Sequence, residues 1–488
     1  MKNLSASRHG QRILAFALAC VAPAIHAQII DSAFQPAPDD QIWMVAGHPD
    51  GGVLAGGFFR TIDGLGLHGF THLDDDGHVA PSFRSTVFHS SAWTTSVLAD
   101  DRLLVGGDIG EVDDLPRRGV VRLLADGAVD PGFGDPGIIG RVYATAEQAD
   151  GRILAAGDFT QVDGHPGYAK LVRLNADGSL DTTFNPGFDD DIDTMVLQPD
   201  GRVLVGGYFR TVNGEDQKYL ARINPDGSLD TTFRPRPDSY VWAIALQVDG
   251  RILAGGQFSS IGAADARALA RLNADGSRDG SFADPGITSG SIYSIVPQAD
   301  GKLIVSGSFT GVAGFPRNHI ARINGDGSLD TGFGDLDADF HVDAIGLQPD
   351  GRLLLGGAFT RIGGMPVAYL ARAILPDAAQ QSLDVAGGGS RVTWLRSGAA
   401  PELMAPPVAY RSTDGGATWT RLGSLQRIAG GWRLAGLAPI IGQPFRLRVD
   451  GLVQSGYGSN SQGRVRVQDD YRFDDTIFED GFDGTTTR

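Results

Sequence analysis

Cysteine is nearly absent from these 488 residues: the single one, Cys20, sits in an apolar stretch near the N-terminus. No disulfide framework can staple the remainder, so its stability has to come from packing. Beyond that stretch no apolar run is long enough to span a membrane. Positive charge is also short, with 41 Lys and Arg against 58 Asp and Glu and a formal net charge of −17. Such a surface repels phosphate backbones, so nucleic acid is not an expected partner. There is no phosphate-cradling glycine loop and no nucleophile elbow, and no cofactor is expected. Of ten histidines, five (His48, His68, His72, His78 and His89) fall close together in the chain. None shows a metal-ligand spacing, so no metal is expected either.

What is present begins with a leader. "MKNLSASRHGQRILAFALACVAPAIHA" (1–27) opens with Lys2, Arg8 and Arg12, continues with an apolar run from Ile13, and offers cleavage after Ala24 or Ala27. This is the pattern of a secretory signal, and its apolar core is too short for a membrane span. "ALAC" is similar to a lipobox, but apolar sequence continues past Cys20, and Ala17 stands where leucine is preferred. The expected protein is secreted: extracellular, periplasmic or on the outer surface.

Glycine is abundant, at 69 residues, and much of it recurs in phase. "PDGRVLVGGYF" (199–209) returns as "PDGRLLLGGAF" (349–359), and a looser x-D-G-x-[IVL]-[LI]-x-G-G-x-F occurs seven times. Its third position falls at Gly51, Asp101, Gly151, Gly201, Gly250, Gly301 and Gly351, a spacing of 49 to 51 residues. A second phrase keeps the same period, as in "RLNADGSLDTTF" (173–184) and "RINPDGSLDTTF" (222–233). Within one unit, "VWAIALQ" (241–247), "RILAGGQF" (251–258) and "LARLN" (269–273) read as short strands between D-G turns, and "RDGSF" as a fourth. Four antiparallel strands repeated every 50 residues predict a seven-bladed β-propeller, all-β. The seventh unit stops at "LARAILPD" (370–377) without its D-x-x-F, while "DSAF" (31–34) stands unpaired before the first. The N-terminus is therefore expected to close the last blade, which removes the sheet edges.

These paired phrases resemble the delta-60 repeat family over residues 29–378. The resemblance implies a β-propeller of the kind found largely in bacterial surface and secreted proteins, and it implies no particular activity.

The expected organisation is a signal at 1–27, the propeller at 28–378, a β-sandwich at 379–467 and an acidic aromatic tail at 468–488. "AAQQSLDVAGGGS" (378–390) reads as a linker. "RVTWLRSG", "VAYRST", "GGWRLAGL" and "PFRLRV" then alternate as strands without the 50-residue period. "LAGLAPIIGQPFRLRV" resembles the fibronectin type III corner, with Phe445 where that family has tyrosine. "STDGGATW" (412–419) resembles the Asp-box hairpin, in which Asp and Ser/Thr side chains bond the turn and Trp packs beneath. A single box outside the propeller is a structural element and not a sialidase signature. In the tail, "IFEDGF" is similar to short endings of secreted Gram-negative proteins. Phe478 and Phe482 are its candidate recognition or sorting residues, against the alternative of a plain disordered end.

N-x-D-G-S-x-D resembles a calcium loop, but Arg173, Arg222, Arg271 and Arg322 occupy its first ligand position, and arginine cannot ligate a cation. A hairpin with a cross-strand Arg–Asp pair is the expected structure there. Because the D-G turns recur unchanged, they should build one face. The loops after G-G-x-F and the connections into each next unit vary, and they should carry binding on the other face. One position in the first strand of each unit reads Trp43, Trp93, Tyr143, Asp193, Trp242, Tyr293 and Asp343. Ringing the channel, these residues suit a sugar or a cationic ligand; packed between blades, they are structural. The expected function is a non-catalytic, monomeric binding protein for a glycan or protein. The alternative is a glycan-active hydrolase or lyase using the two aspartates.

Overall fold

The computed structural model describes residues 29–473 except 85–87, 89, 263 and 441. Residues 1–27, expected above to be a signal, and the candidates Phe478 and Phe482 lie outside the described residues. The chain is all-β, with one 3-10 turn at Tyr457–Ser459 among the described residues.

Seven antiparallel sheets follow one another in phase with the sequence repeat, each called a blade below. In blade four, Ile192–Leu197 pairs with Val203–Gly207, which pairs with Leu220–Ile223. The first strands, from Ile42–Gly47 in blade one to Val342–Leu347 in blade seven, contact one another in a closed circuit. This is a β-propeller. Strands buried on both faces make near-continuous apolar runs, and the cores form between neighbouring blades, such as Phe34, Val45 and Ile62 with Leu354.

The expected fourth strand is reduced in blades one to six to a single bridge, such as Leu174 with Leu180. The D-x-x-F that follows turns back on itself, Phe184 N–H donating to the Asp181 carbonyl at 3.3 Å, so the chain leaves the sheet. The turn carries a buried ion pair. Arg173 Nε donates to Asp181 Oδ2 at 2.6 Å, and its guanidinium lies 4.6 Å above the Phe184 ring. Another nitrogen of Arg173 reaches the Pro225 carbonyl of blade four at 2.8 Å. Arg122, Arg222 and Arg271 likewise lace each blade to the next, to Ala176, Ala274 and Gly325.

The N-terminus closes the ring in the same way. Ile29 and Ile30 pair with Ile374 and Ala373. Arg372 then pairs with Asp31 at 2.7 Å and lies 4.6 Å above the Phe34 ring. Residues from the two ends of the repeat array thus build the constellation that a single repeat builds elsewhere.

The C-terminal region is a sandwich of two sheets. One orders Gln380–Ala386, Arg391–Ser397, Gly431–Ala435 and Gln426–Ile428; the other orders Thr420–Ser424, Val408–Ser412, Phe445–Ser455 and Ser461–Tyr471. Two boundary expectations are corrected. The stretch 378–390 is not a linker, because Gln380–Ala386 is an edge strand with only Val385 buried, which leaves little apolar pattern to read. Nor does the sandwich end at 467, since its last strand runs to Tyr471, and Tyr471 and Phe473 stack on Phe445. The "STDGGATW" turn is held by its own side chains, with Ser412 Oγ donating to Asp414 Oδ1 at 2.6 Å and Thr418 N–H to the same oxygen at 2.9 Å.

Candidate functional site

A β-bulge places the ring residues. In every blade the register slips by one residue early in the first strand, and the extra residue is Trp43, Trp93, Tyr143, Asp193, Trp242, Tyr293 or Asp343. A bulge re-aims the side chain it carries. The second glycine of the pair opposite makes it possible, since a Cβ on Gly57 would strike the Gln41 carbonyl; the first, where it is glycine, fits the next blade, a Cβ on Gly56 lying 3.0 Å from the Ala92 carbonyl. These glycines serve close backbone approach.

The side chains so aimed meet around the channel. Ring centroids lie 4.7 Å apart for Trp43–Trp93, 5.3 Å for Trp93–Tyr143 and 5.6 Å for Trp242–Tyr293. The centre is not open. The sandwich sits on the face of the D-G turns, where Ala299 N–H donates to the Ala400 carbonyl and Glu402 N–H to that of Pro297, both at 2.8 Å. From there the hairpin of Phe445–Ser455 and Ser461–Tyr471 enters the channel and touches the first strands of all seven blades.

The hairpin bonds to blade after blade on its way. Gln454 accepts from Leu246 N–H at 2.9 Å and donates to the Ile244 carbonyl at 3.0 Å. Thr94, Thr194 and Ser294 hydroxyls donate to the carbonyls of Asn460, Gly458 and Gly456 at 3.0, 2.7 and 2.7 Å. The Asn460 side chain accepts from Met195 N–H and donates to the Asp193 carbonyl. At the entrance, Arg466 spans Asp450 at 2.8 Å and Asp101 at 2.7 Å.

At the tip, Tyr457 reaches the aromatic ring, 5.4 Å from Trp43 and 6.0 Å from Tyr293. What remains at the mouth is a blind cup of about 280 Å³. Trp43, Trp242, Tyr293, Tyr208 and Tyr457 supply aromatic surface, and Phe340, His341, Gln41, Ala358 and Asp343 complete the lining. Four of the seven ring residues thus share the cup. Trp93 packs against Trp43 and Tyr143 instead, and Asp193 does not line the cup.

The two aspartates differ accordingly. Burial alone pushes Asp343 up to about 7. Burial, and then the charges of Asp191, Asp190 and Asp158, push Asp193 well above the usual carboxylate range, and its Oδ2 has no hydrogen-bond partner among the described residues. Burial in a low-dielectric setting beside other carboxylates thus favours the protonated form of Asp193. Burial raises the Tyr208 hydroxyl to about 12, and burial holds His341 below its ordinary value.

Sequence reasoning missed Tyr208, the variable position inside G-G-x-F, Phe340 and His341, which lie in a variable connection it pointed to, and Tyr457, which carried no signal at all. It also passed over two histidines for want of ligand spacing. His48, Asp50 and His72 come together on the turn face of blade one, their ligand atoms all within 4.8 Å of one another.

Comparison with known proteins agrees with the architecture. Residues 98–133, 148–184, 198–233, 247–282, 298–333 and 348–373 match a family model described as a domain of unknown function (DUF5122) beta-propeller. No curated protein matches the chain. Among solved structures, PorZ, an essential bacterial surface component of the type-IX secretion system of Porphyromonas gingivalis, is 12% identical over 90% of this chain and 61% of its own, with a TM-score of 0.38. At that score the likeness carries no argument. Repeats of the DUF5122 β-propeller model, ordered in phase from the second blade to the seventh, are what this chain shares with known sequences.

Proposed function

We propose that the protein is a secreted or cell-surface, non-catalytic interaction protein that takes a ligand into the aromatic cup at the mouth of its plugged channel. The observation that carries this reading is the hairpin tip: with Tyr457 as part of the lining, the channel ends in a blind recess walled by flat rings. The volume suits one ring-sized ligand group, and stacked aromatics around a carboxyl suit a sugar ring or a cationic headgroup. A glycan hydrolase or lyase would need a second acid at this mouth, and Asp343 is the one carboxyl lining the cup among the described residues.

Several finer readings accompany the proposal. The leader supports export. Exposed Leu65, Leu115, Phe315 and Met365 on the small hairpins of the variable face support a protein partner beside the cup. The repeats are read as delta-60 type and the sandwich as fibronectin type III-like, in keeping with its two facing antiparallel layers, one of which continues through Gln462 opposite Ser96 into blade two. Phe478 and Phe482 are proposed as a recognition or sorting segment, and the protein as a monomer.

A glycan array, together with titration by trimethylammonium compounds, tests the ligand class on the mature protein. Binding of either should weaken at least about tenfold in Trp242→Ala, the loss expected when one stacking surface contributes ~1.4 kcal/mol. Equal binding by wild type and Trp242→Ala would place recognition elsewhere.

A further inference from the structure

Blade one departs from the other six at four positions that lie together. Where five of the other blades carry Gln148, Gln198, Gln247, Gln298 or Gln348 and blade two carries Leu98, blade one has His48; where all six carry Arg102, Arg152, Arg202, Arg251, Lys302 or Arg352, it has Gly52. The buried arginine of the Arg–Asp pair becomes His72, and its partner becomes Ala80. Asp50 alone keeps the repeat's residue. The arginine that pairs with the equivalent aspartate elsewhere, as Arg152 does with Asp150 at 2.6 Å, is gone, and so is the buried arginine of the Arg–Asp pair.

The replaced residues converge. His48 Nδ1 lies 2.7 Å and His72 Nε2 3.4 Å from Asp50 Oδ1, and neither nitrogen is aligned for a hydrogen bond. His72 is 3% exposed, so its Nε2 is a buried polar atom without a hydrogen-bond partner among the described residues. Such atoms call for an explanation. Gly52 supplies the room: a Cβ there would stand 2.5 Å from His72 Nε2 and 3.0 Å from Asp50 Oδ1, and it would also meet the Leu73 carbonyl. Six sister blades hold a long side chain at that position, so the repeat's backbone does not itself demand glycine.

We propose that blade one binds a divalent transition-metal ion, of which zinc is the best fit, through His48 Nδ1, Asp50 Oδ1 and His72 Nε2. Two imidazoles and a carboxylate are a donor set that zinc accepts. A tetrahedral ion with bonds of about 2.1 Å holds its ligand atoms ~3.4 Å apart. The His72–Asp50 separation already has that value, and the His48–Asp50 separation would open slightly. The fourth position faces solvent past Asp50, whose side chain is 50% exposed, and takes water or a group from a partner. The metal ion would take over the cross-strand tie that the Arg–Asp pair makes in the other blades.

The test uses the full mature chain without a polyhistidine tag. Cobalt(II) titration should give one equivalent of tetrahedral d–d absorption that zinc displaces, and zinc should raise the melting temperature over a chelator-treated sample. Gly52→Ala should weaken cobalt binding by roughly a hundredfold by filling the site. A fourfold variant carrying the sister-blade residues (His48→Gln, Gly52→Arg, His72→Arg, Ala80→Asp) should fold and bind no cobalt, which separates a lost site from a lost fold. No tetrahedral absorption in the wild type, or absorption undiminished in the fourfold variant, would overturn the proposal and leave the trio as an ion-paired substitute for Arg and Asp.

Discussion

At the scale of single residues, the molecule holds two populations of aspartate with opposite consequences for pH. In Asp230, burial alone would raise the carboxyl, but bonds from Thr232 and the guanidinium of Arg222 outweigh it and hold the group at about 2. Its folded value lies below its unfolded one, so the stability it contributes is present above pH ~4 and is lost as pH falls toward 2. Asp343 is the reverse. Its ordinary value of 3.8 is raised by burial to about 7, so the folded protein holds this proton more tightly than the unfolded chain does. Stability from this group falls as pH rises from about 4 to 7, by up to roughly 4 kcal/mol, and is level above. Asp343→Asn should therefore reduce the fall of the melting temperature between pH 4 and 7, leaving the part due to Asp193 and the acid limb below pH 4 intact. A wild-type slope in the variant would show that Asp343 titrates normally.

At the scale of the element, a strand of two residues closes the array. Ile29–Ile30 makes only two pairings, yet it brings Asp31 and Phe34 to the buried Arg372, and Arg372 in turn reaches Asp75 of blade one at 2.9 Å. Deleting residues 28–36 leaves that guanidinium with a lost partner and exposes the edge of Leu370–Ile374. Removing one partner of a buried pair costs about 3–5 kcal/mol, before the edge is counted. The truncated protein should melt well below the full chain and unfold as a whole, since the cores lie between blades; a melting curve unchanged by the deletion would contradict ring closure by this strand.

At the scale of the whole molecule, propeller and sandwich are one structure, because the hairpin fills the space that other propellers leave to solvent. Met195 N–H, Leu246 N–H and the hydroxyls of Thr94, Thr194 and Ser294 are all satisfied by the hairpin. Each buried group left without its partner costs about 1–3 kcal/mol. Calorimetry of the full chain should show a single transition, and a chain ending at residue 378 should melt lower and lose ligand binding at the cup. Two independent transitions, one matching the isolated propeller, would mean that the plug contributes little.

The period of 50 determined the architecture on its own. It located three strands of each blade, the turn face and the buried Arg–Asp pairs, because each is a local contact repeated from blade to blade, and it exposed "DSAF" as the piece the last repeat lacks. The ring position was legible for the same reason, though not the bulge that aims it. The first strand of the sandwich read as a linker because an edge strand lacks alternation, and the end of the sandwich was set short because its last strand shares its composition with the tail. The plug was not legible. Tyr457 against Trp43, Asn460 against Asp193 and Arg466 against Asp101 are each made once, between segments hundreds of residues apart. A contact made once leaves no pattern along the chain, and only the packed structure decides it. The same holds for His48 and His72, whose separation in sequence resembles no ligand spacing but which the pairing of neighbouring strands sets side by side.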